Sequence, residues 1–96
     1  MRYFKRPWNE TRGDEHKEWG TSTWLFEVGP DLYITRQIEV YEAGQALKYD
    51  EGHLEDAYGG LGEGALDLER DGFLPFEIDA TEFERAWQTT KAMNRS

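Results

Sequence analysis

The stretch Thr21-Ser22-Thr23-Trp24-Leu25-Phe26-Glu27-Val28, then Gly29-Pro30-Asp31, then Leu32-Tyr33-Ile34-Thr35-Arg36-Gln37-Ile38-Glu39-Val40-Tyr41-Glu42 decides the fold. Both long runs are rich in β-branched and aromatic residues and alternate with period two, the pattern of strands rather than helices. In the first run Trp24, Phe26 and Val28 share one face, and Thr23, Leu25 and Glu27 the other. In the second, Ile34, Ile38 and Val40 fall on one face, and Tyr33, Thr35, Gln37, Glu39 and Tyr41 on the opposite one. The Gly-Pro-Asp between them has turn chemistry, so residues 21–28 and 32–42 read as an antiparallel hairpin.

Working outward, Ala43-Gly44 supplies a tight turn into a shorter strand at residues 45–50, where Leu47 and Tyr49 alternate with Ala46, Lys48 and Asp50. Upstream, the aromatic-rich residues 2–8 read as a strand ending near Pro7, and residues 9–20 as a polar loop in which Trp19 stands alone. Downstream, residues 51–72 carry six glycines among dense Asp and Glu, too many for a regular helix. A short strand near Phe76 leads to a C-terminal helix. Asp79 is its N-cap, with Glu82 three residues on, and Thr81 with Glu84 offers an alternative register. Ala80, Phe83, Trp87 and Thr90 recur at helical spacing, Ile78 is placed as a hydrophobic staple, and fraying is expected after Met93. The expected fold is a single α+β domain over residues 1–96: an antiparallel sheet of about four strands with the C-terminal helix packed on one face through Phe83 and Trp87. Strand alternation puts Arg36 on the same face as Ile34 and Ile38, where it must find a carboxylate or lie at the sheet's margin, because an unpaired buried charge is costly.

Charge is the main functional signal. Twenty Asp and Glu face eleven Lys and Arg, a net charge of −9. Self-repulsion of this size adds nothing to core stability, so the acid points to a basic partner or to solubility. Most of it falls in the second half of the chain, and eight of the twenty acids lie together on the glycine-rich stretch: Asp50, Glu51, Glu55, Asp56, Glu63, Asp67, Glu69 and Asp71, with Tyr58 among them and Arg70 the lone counter-charge. Carboxylates beside an aromatic residue suit the capture of Lys and Arg on a basic protein. These residues, with Tyr58 or Trp19 as an aromatic anchor, form the candidate partner-binding set.

The other chemistries are weaker. The chain has no cysteine, which removes disulfides, thiolate zinc sites and thiol nucleophiles. Neither Asp50-Glu51-Gly52 nor the run from Asp67 to Gly72 has the spacing of an EF-hand, so no metal site is expected. Gly59-Gly60-Leu61-Gly62-Glu63-Gly64 lacks the Lys-Ser or Lys-Thr of a phosphate loop, and its acidic setting disfavours phosphate and nucleic acid alike. Arg2, Lys5, Arg6 and Arg12 form a small basic cluster, best read as neutralising part of the acidic half. His16 and His53 leave a small hydrolase as the alternative, although neither can be paired with a nucleophile from the sequence. No cofactor is expected. The first residues lack a signal-peptide apolar core, and no apolar run approaches the ~20 residues of a membrane span, so the expected location is the cytoplasm of a bacterium.

The run Arg36-Gln37-Ile38-Glu39-Val40-Tyr41-Glu42-Ala43-Gly44, followed by Leu47-Lys48-Tyr49-Asp50, resembles a family of small bacterial proteins. In that family an Arg-x-[Ile/Val]-Glu-[Val/Ile]-[Tyr/Phe] strand leads through a glycine turn into a second strand. The resemblance covers about the first half of the chain and carries no catalytic motif. Such proteins look like the immunity members of toxin and immunity pairs, including contact-dependent growth inhibition systems. The resemblance implies an inhibitor that binds a cognate toxin, often a basic nuclease domain, with no direct contact to nucleic acid or membrane. A regulatory adaptor without a toxin partner is a further alternative, and edge strands with exposed aromatic residues suggest a monomer or weak dimer.

Overall fold

The computed structural model describes residues 1–95. Along them the strands are β1 (Arg2–Trp8), β2 (Ser22–Val28), β3 (Ile34–Tyr41), β4 (Ala46–Asp50), β5 (Glu55–Asp56), β6 (Gly59–Gly60) and β7 (Glu77–Ile78), and the helix α1 is Ala80–Thr89. Five strands form one antiparallel sheet in the order β4-β3-β2-β1-β7, and β5 and β6 make a separate small ladder. The architecture is the expected α+β arrangement. The short strand expected near Phe76 lies one residue later, as β7 pairing with Tyr3 and Phe4 at the edge of β1.

α1 begins where its capping chemistry dictates. The Asp79 carboxylate accepts a hydrogen bond from the Glu82 backbone N–H at 2.8 Å, and Ile78 joins Phe83 in one apolar cluster, the staple arrangement. Phe83 is fully buried against Leu25 and Ile38, with Tyr3, Val40, Ala86 and Trp87 packed around them. The helix stops at Thr89, with Thr90 as C-cap, short of the expected fraying point at Met93. Lys48 Nζ donates to the Trp87 carbonyl, satisfying one of the last-turn acceptors that have no partner within the helix.

One expected facing is overturned. Ladder register shifts between Glu27 and Val28: Glu27 lies opposite Arg36, whereas Val28 lies opposite Ile34, leaving Thr35 as an extra residue. Such a bulge reverses the facing of everything on one side of it. Ile34 therefore leaves the face of Ile38 and joins Phe4, Phe26, Val28, Leu68 and Phe73 on the other side of the sheet. Arg36 stays on the helix side and finds the required ion pairs, with Glu27 and Glu84. Its guanidinium also lies 5.0 Å from the Phe83 ring centre and 5.1 Å from that of Trp87.

The face away from α1 is covered by irregular chain. Leu61, Leu66, Leu68 and Phe73 from the glycine-rich stretch lie against the Phe4 and Phe26 cluster, while Trp19 and Tyr58 close over Tyr41, Leu47 and Tyr49. At the turn into β3, Leu32 takes a positive φ of 65°, with its N–H bonded to the Gly29 carbonyl, and its side chain packs on the same Phe4 cluster. The outer edge of β4 is covered by the C-terminal segment. Met93 N–H bonds the Ala46 carbonyl, and the Asn94 side chain bonds both the N–H and the carbonyl of Lys48. An exposed strand edge invites pairing with another chain, and this segment closes it. Among the described residues no helix is long and apolar enough to cross a membrane.

Candidate protein-binding site

The floor of the candidate site is polar yet buried. Strand alternation puts Gln37, Glu39 and Tyr41 on the face away from α1, and all three are buried, Glu39 to 3% exposure. Gln37 Nε2 donates to Glu39 at 2.8 Å and to the Gly60 carbonyl at 3.1 Å, while its Oε1 accepts from the Gly62 N–H at 2.9 Å. The Tyr41 hydroxyl donates to the other Glu39 oxygen at 2.6 Å, and Arg12 donates to that hydroxyl and to the Tyr58 carbonyl. Burial pushes the Glu39 carboxyl up, partly offset by the hydrogen bonds from Tyr41 and Gln37 and by the Arg12 charge. Burial, then the bond to Glu39, pushes the Tyr41 hydroxyl well up. Because each buried polar atom here has a partner, the network moors the glycine-rich stretch to β3.

A second mooring centres on Asp56. Its carboxylate accepts from the Tyr49 hydroxyl at 2.9 Å, the Tyr58 N–H at 2.9 Å and Asn94 Nδ2 at 2.9 Å, and lies 2.8 Å from His53 Nε2. Burial would raise its pKa, but the bonds from His53, Asn94, Tyr58 and Tyr49 outweigh burial and hold it well below the usual carboxylate range. His53 thus closes a structural contact. His16 stacks on Trp19 with ring centres 4.4 Å apart, and its ring lies 3.4 Å from Glu15. No hydroxyl hydrogen-bonds either imidazole among the described residues. Nor, among them, is any group of three His, Asp or Glu side chains placed to hold a metal ion.

The sequence-predicted set therefore divides. Trp19, expected to stand alone in a polar loop, is 9% exposed and packs edge-on to Tyr41 and against Tyr58, with Arg12 over its ring. Its burial removes it as a free anchor. Tyr58 is half-buried in the same cluster, and Asp56 is occupied by its four partners. Asp50 bonds the Gly52 N–H and pairs with Arg95 at 3.1 Å. Asp67 and Asp71 are exposed, but Asp67 accepts from the Arg70 N–H and Asp71 from the Asp67 N–H, so both help hold their own turn. Glu51, Glu55, Glu63 and Glu69 are exposed and have no ion-pair partner among the described residues.

Two of these line one groove. A depression of about 400 Å³ is bounded by Leu54, Glu55, Gly60, Leu61, Gly62 and Glu63, with Leu54 58% exposed. The β5–β6 ladder pairs Glu55 with Gly60 and brings the two arms together. The approach is close: a Cβ on Gly60 would sit 2.7 Å from the Leu54 carbonyl oxygen, so glycine is required there. The result is a groove in which two aliphatic side chains, Leu54 and Leu61, share the lining with two unpaired carboxylates. Leu54 was not singled out from the sequence, where its signal is only an isolated large aliphatic residue between His53 and Glu55. No protein-family model, curated protein or solved structure matches the chain.

Proposed function

We propose that this chain is a binding protein of the immunity type, which engages and neutralises a cognate toxin, a nuclease domain with a basic surface, in a bacterial cytoplasm. The observation that carries the reading is the Leu54 groove, whose lining includes the unpaired Glu55 and Glu63. Lysine and arginine lay an apolar stem along apolar surface while keeping a charged head in polar surroundings. Leu54 and Leu61 fit such a stem, and Glu55 and Glu63 fit the head through charge-assisted hydrogen bonds. Glu51 and Glu69 extend the negative field around the groove and steer the approach of a basic partner. The mode of action is stoichiometric masking, with no catalytic step. What the resemblance of the Arg36 to Asp50 stretch implies agrees with this reading, which rests on the charge and on the groove.

Co-expression with the product of the adjacent gene tests it. A one-to-one complex that survives purification, and that Leu54→Asp or Glu63→Lys disrupts while the fold is retained, is the expected result. A neighbouring product that is acidic, or that fails to co-purify with the wild-type chain, overturns the proposal.

A further inference from the structure

We infer a second binding site, on the face away from α1, that takes a small planar aromatic monocarboxylate. It is a cleft of about 310 Å³ lined by Arg6, Trp8, Trp24, Phe26 and Phe73, none of which lines the Leu54 groove. Strand alternation builds it: Arg6 and Trp8 project from the same face of β1, Trp24 and Phe26 from that of β2, and Arg6 lies opposite Trp24 in the ladder. The Trp24 Nε1–H donates to Ser22 Oγ at 2.7 Å, which satisfies the ring's one polar hydrogen and holds the ring in place. Phe73 meets Phe26 edge-on at 5.8 Å between ring centres. Trp8 remains 45% exposed, an unusual amount for so large an apolar ring.

Two features define the occupant. The uncharged lining is entirely aromatic, a surface on which flat rings stack, and its volume falls at the small end of ligand sites. The one charge is Arg6. Arg2, Arg12 and Arg36, the other partly buried arginines, each have a carboxylate partner, but Arg6 has none within 4.0 Å among the described residues. Its Nη1 donates to the Asp71 backbone carbonyl, and its guanidinium carbon lies 5.0 Å from the Phe73 ring centre and 5.5 Å from that of Phe76. These contacts hold the guanidinium in place, and the N–H donors beyond the one on Asp71 can pair with a carboxylate. In a chain with a net charge of −9, a half-buried arginine without a carboxylate marks a place for an anion from outside. A single negative charge fits. A phosphate would bring more than one charge into an otherwise aromatic, uncharged lining, and a cation in the cleft would meet Arg6.

The test titrates the isotope-labelled chain with 2-naphthoate and with its neutral isostere 2-naphthamide, following the side-chain indole N–H signals. Shifts at Trp8 and Trp24 but not at Trp19 and Trp87 are expected, with the carboxylate binding about tenfold or more tightly than the amide. Arg6→Gln should bring naphthoate down to the affinity of the amide, Arg6→Lys should keep part of the preference, and Trp8→Ala should weaken both ligands. Equal affinity of acid and amide for the wild-type chain, shifts centred on Trp19 or Trp87, or no shift at millimolar naphthoate would each overturn the assignment. None of these outcomes depends on a protein partner.

Discussion

Gln37 accepts a hydrogen bond from the backbone N–H of Gly62 at 2.9 Å, tying β3 to the arm of chain that carries Glu63. The same side chain donates to the Gly60 carbonyl, so one fully buried amide holds the Gly60 to Gly62 arm of the candidate groove at two points. Gln37→Leu keeps the volume but leaves that carbonyl, the Gly62 N–H and a Glu39 oxygen without their partner. The expected loss is about 2–4 kcal/mol, read as a lower urea midpoint at unchanged slope. An unchanged midpoint would mean that the mooring contributes nothing.

Arg36 supplies the second test. Glu27 is 7% exposed and depends on Arg36 for a cationic partner, whereas Glu84 lies nearer the surface. Arg36→Met should therefore cost about 2–4 kcal/mol by stranding the Glu27 carboxylate, and Glu84→Gln under about 1 kcal/mol. Equal losses for the two variants would contradict the assignment of Glu27 as the dependent partner. The pH dependence follows: the Arg36 hydrogen bond holds the Glu27 carboxyl below its ordinary value of 4.5, so its contribution is present above that value and fades as pH falls through the lower folded value.

Glu39 behaves in the opposite sense. Burial raises its pKa above the ordinary 4.5, so its contribution favours folding at pH below 4.5 and is lost as pH rises through the raised folded value. Glu39→Gln keeps an oxygen to accept from Gln37 but places an NH2 where the Tyr41 hydroxyl donated, so the hydroxyl must turn to accept from it. The variant's stability relative to wild type should be higher at pH 7 than at pH 4, measured by urea titration at both. A difference that grows in the other direction would show that Arg12 outweighs burial at this site.

The segment covering the sheet edge gives a further prediction. Asn94 bonds Lys48 on both its N–H and its carbonyl, and also bonds Asp56. Asn94→Ala should cost about 1–3 kcal/mol and open the β4 edge. Sedimentation at increasing concentration should then show self-association that the wild-type chain lacks; a variant that stays monomeric would show that Asn94 is not what guards this edge.

How far the sequence could be read differs between fold and site. The strands and the Asp79 cap were legible because period-two alternation and capping chemistry act over a few residues, and those local signals agree with the packing. The bulge at Thr35 was not, because Ile34-Thr35-Arg36 alternates as well with the extra residue as without it; only the pairing with Val28 and Glu27 chooses. Trp19 was misplaced for a related reason: a polar loop hides a buried tryptophan when its covering partners, Tyr41 and Tyr58, come from distant segments. Composition marked the acidic stretch as a surface but could not separate Asp56, occupied by its neighbours, from Glu55 and Glu63, which are not. That division is made by Tyr49 and His53, seven and three residues before Asp56, and by Asn94, 38 residues after it.

The central claim is that a basic partner is recognised at the Leu54 groove by the carboxylates of Glu55 and Glu63. Its most direct measure is the association rate with the co-expressed partner, for the wild-type chain and for Glu55→Gln/Glu63→Gln, at low and high salt. The expected result is an association rate for the wild type that falls steeply with salt, and a double variant that is slower at low salt and less sensitive to salt. A wild-type rate indifferent to salt, or a double variant indistinguishable from it, would contradict the claim.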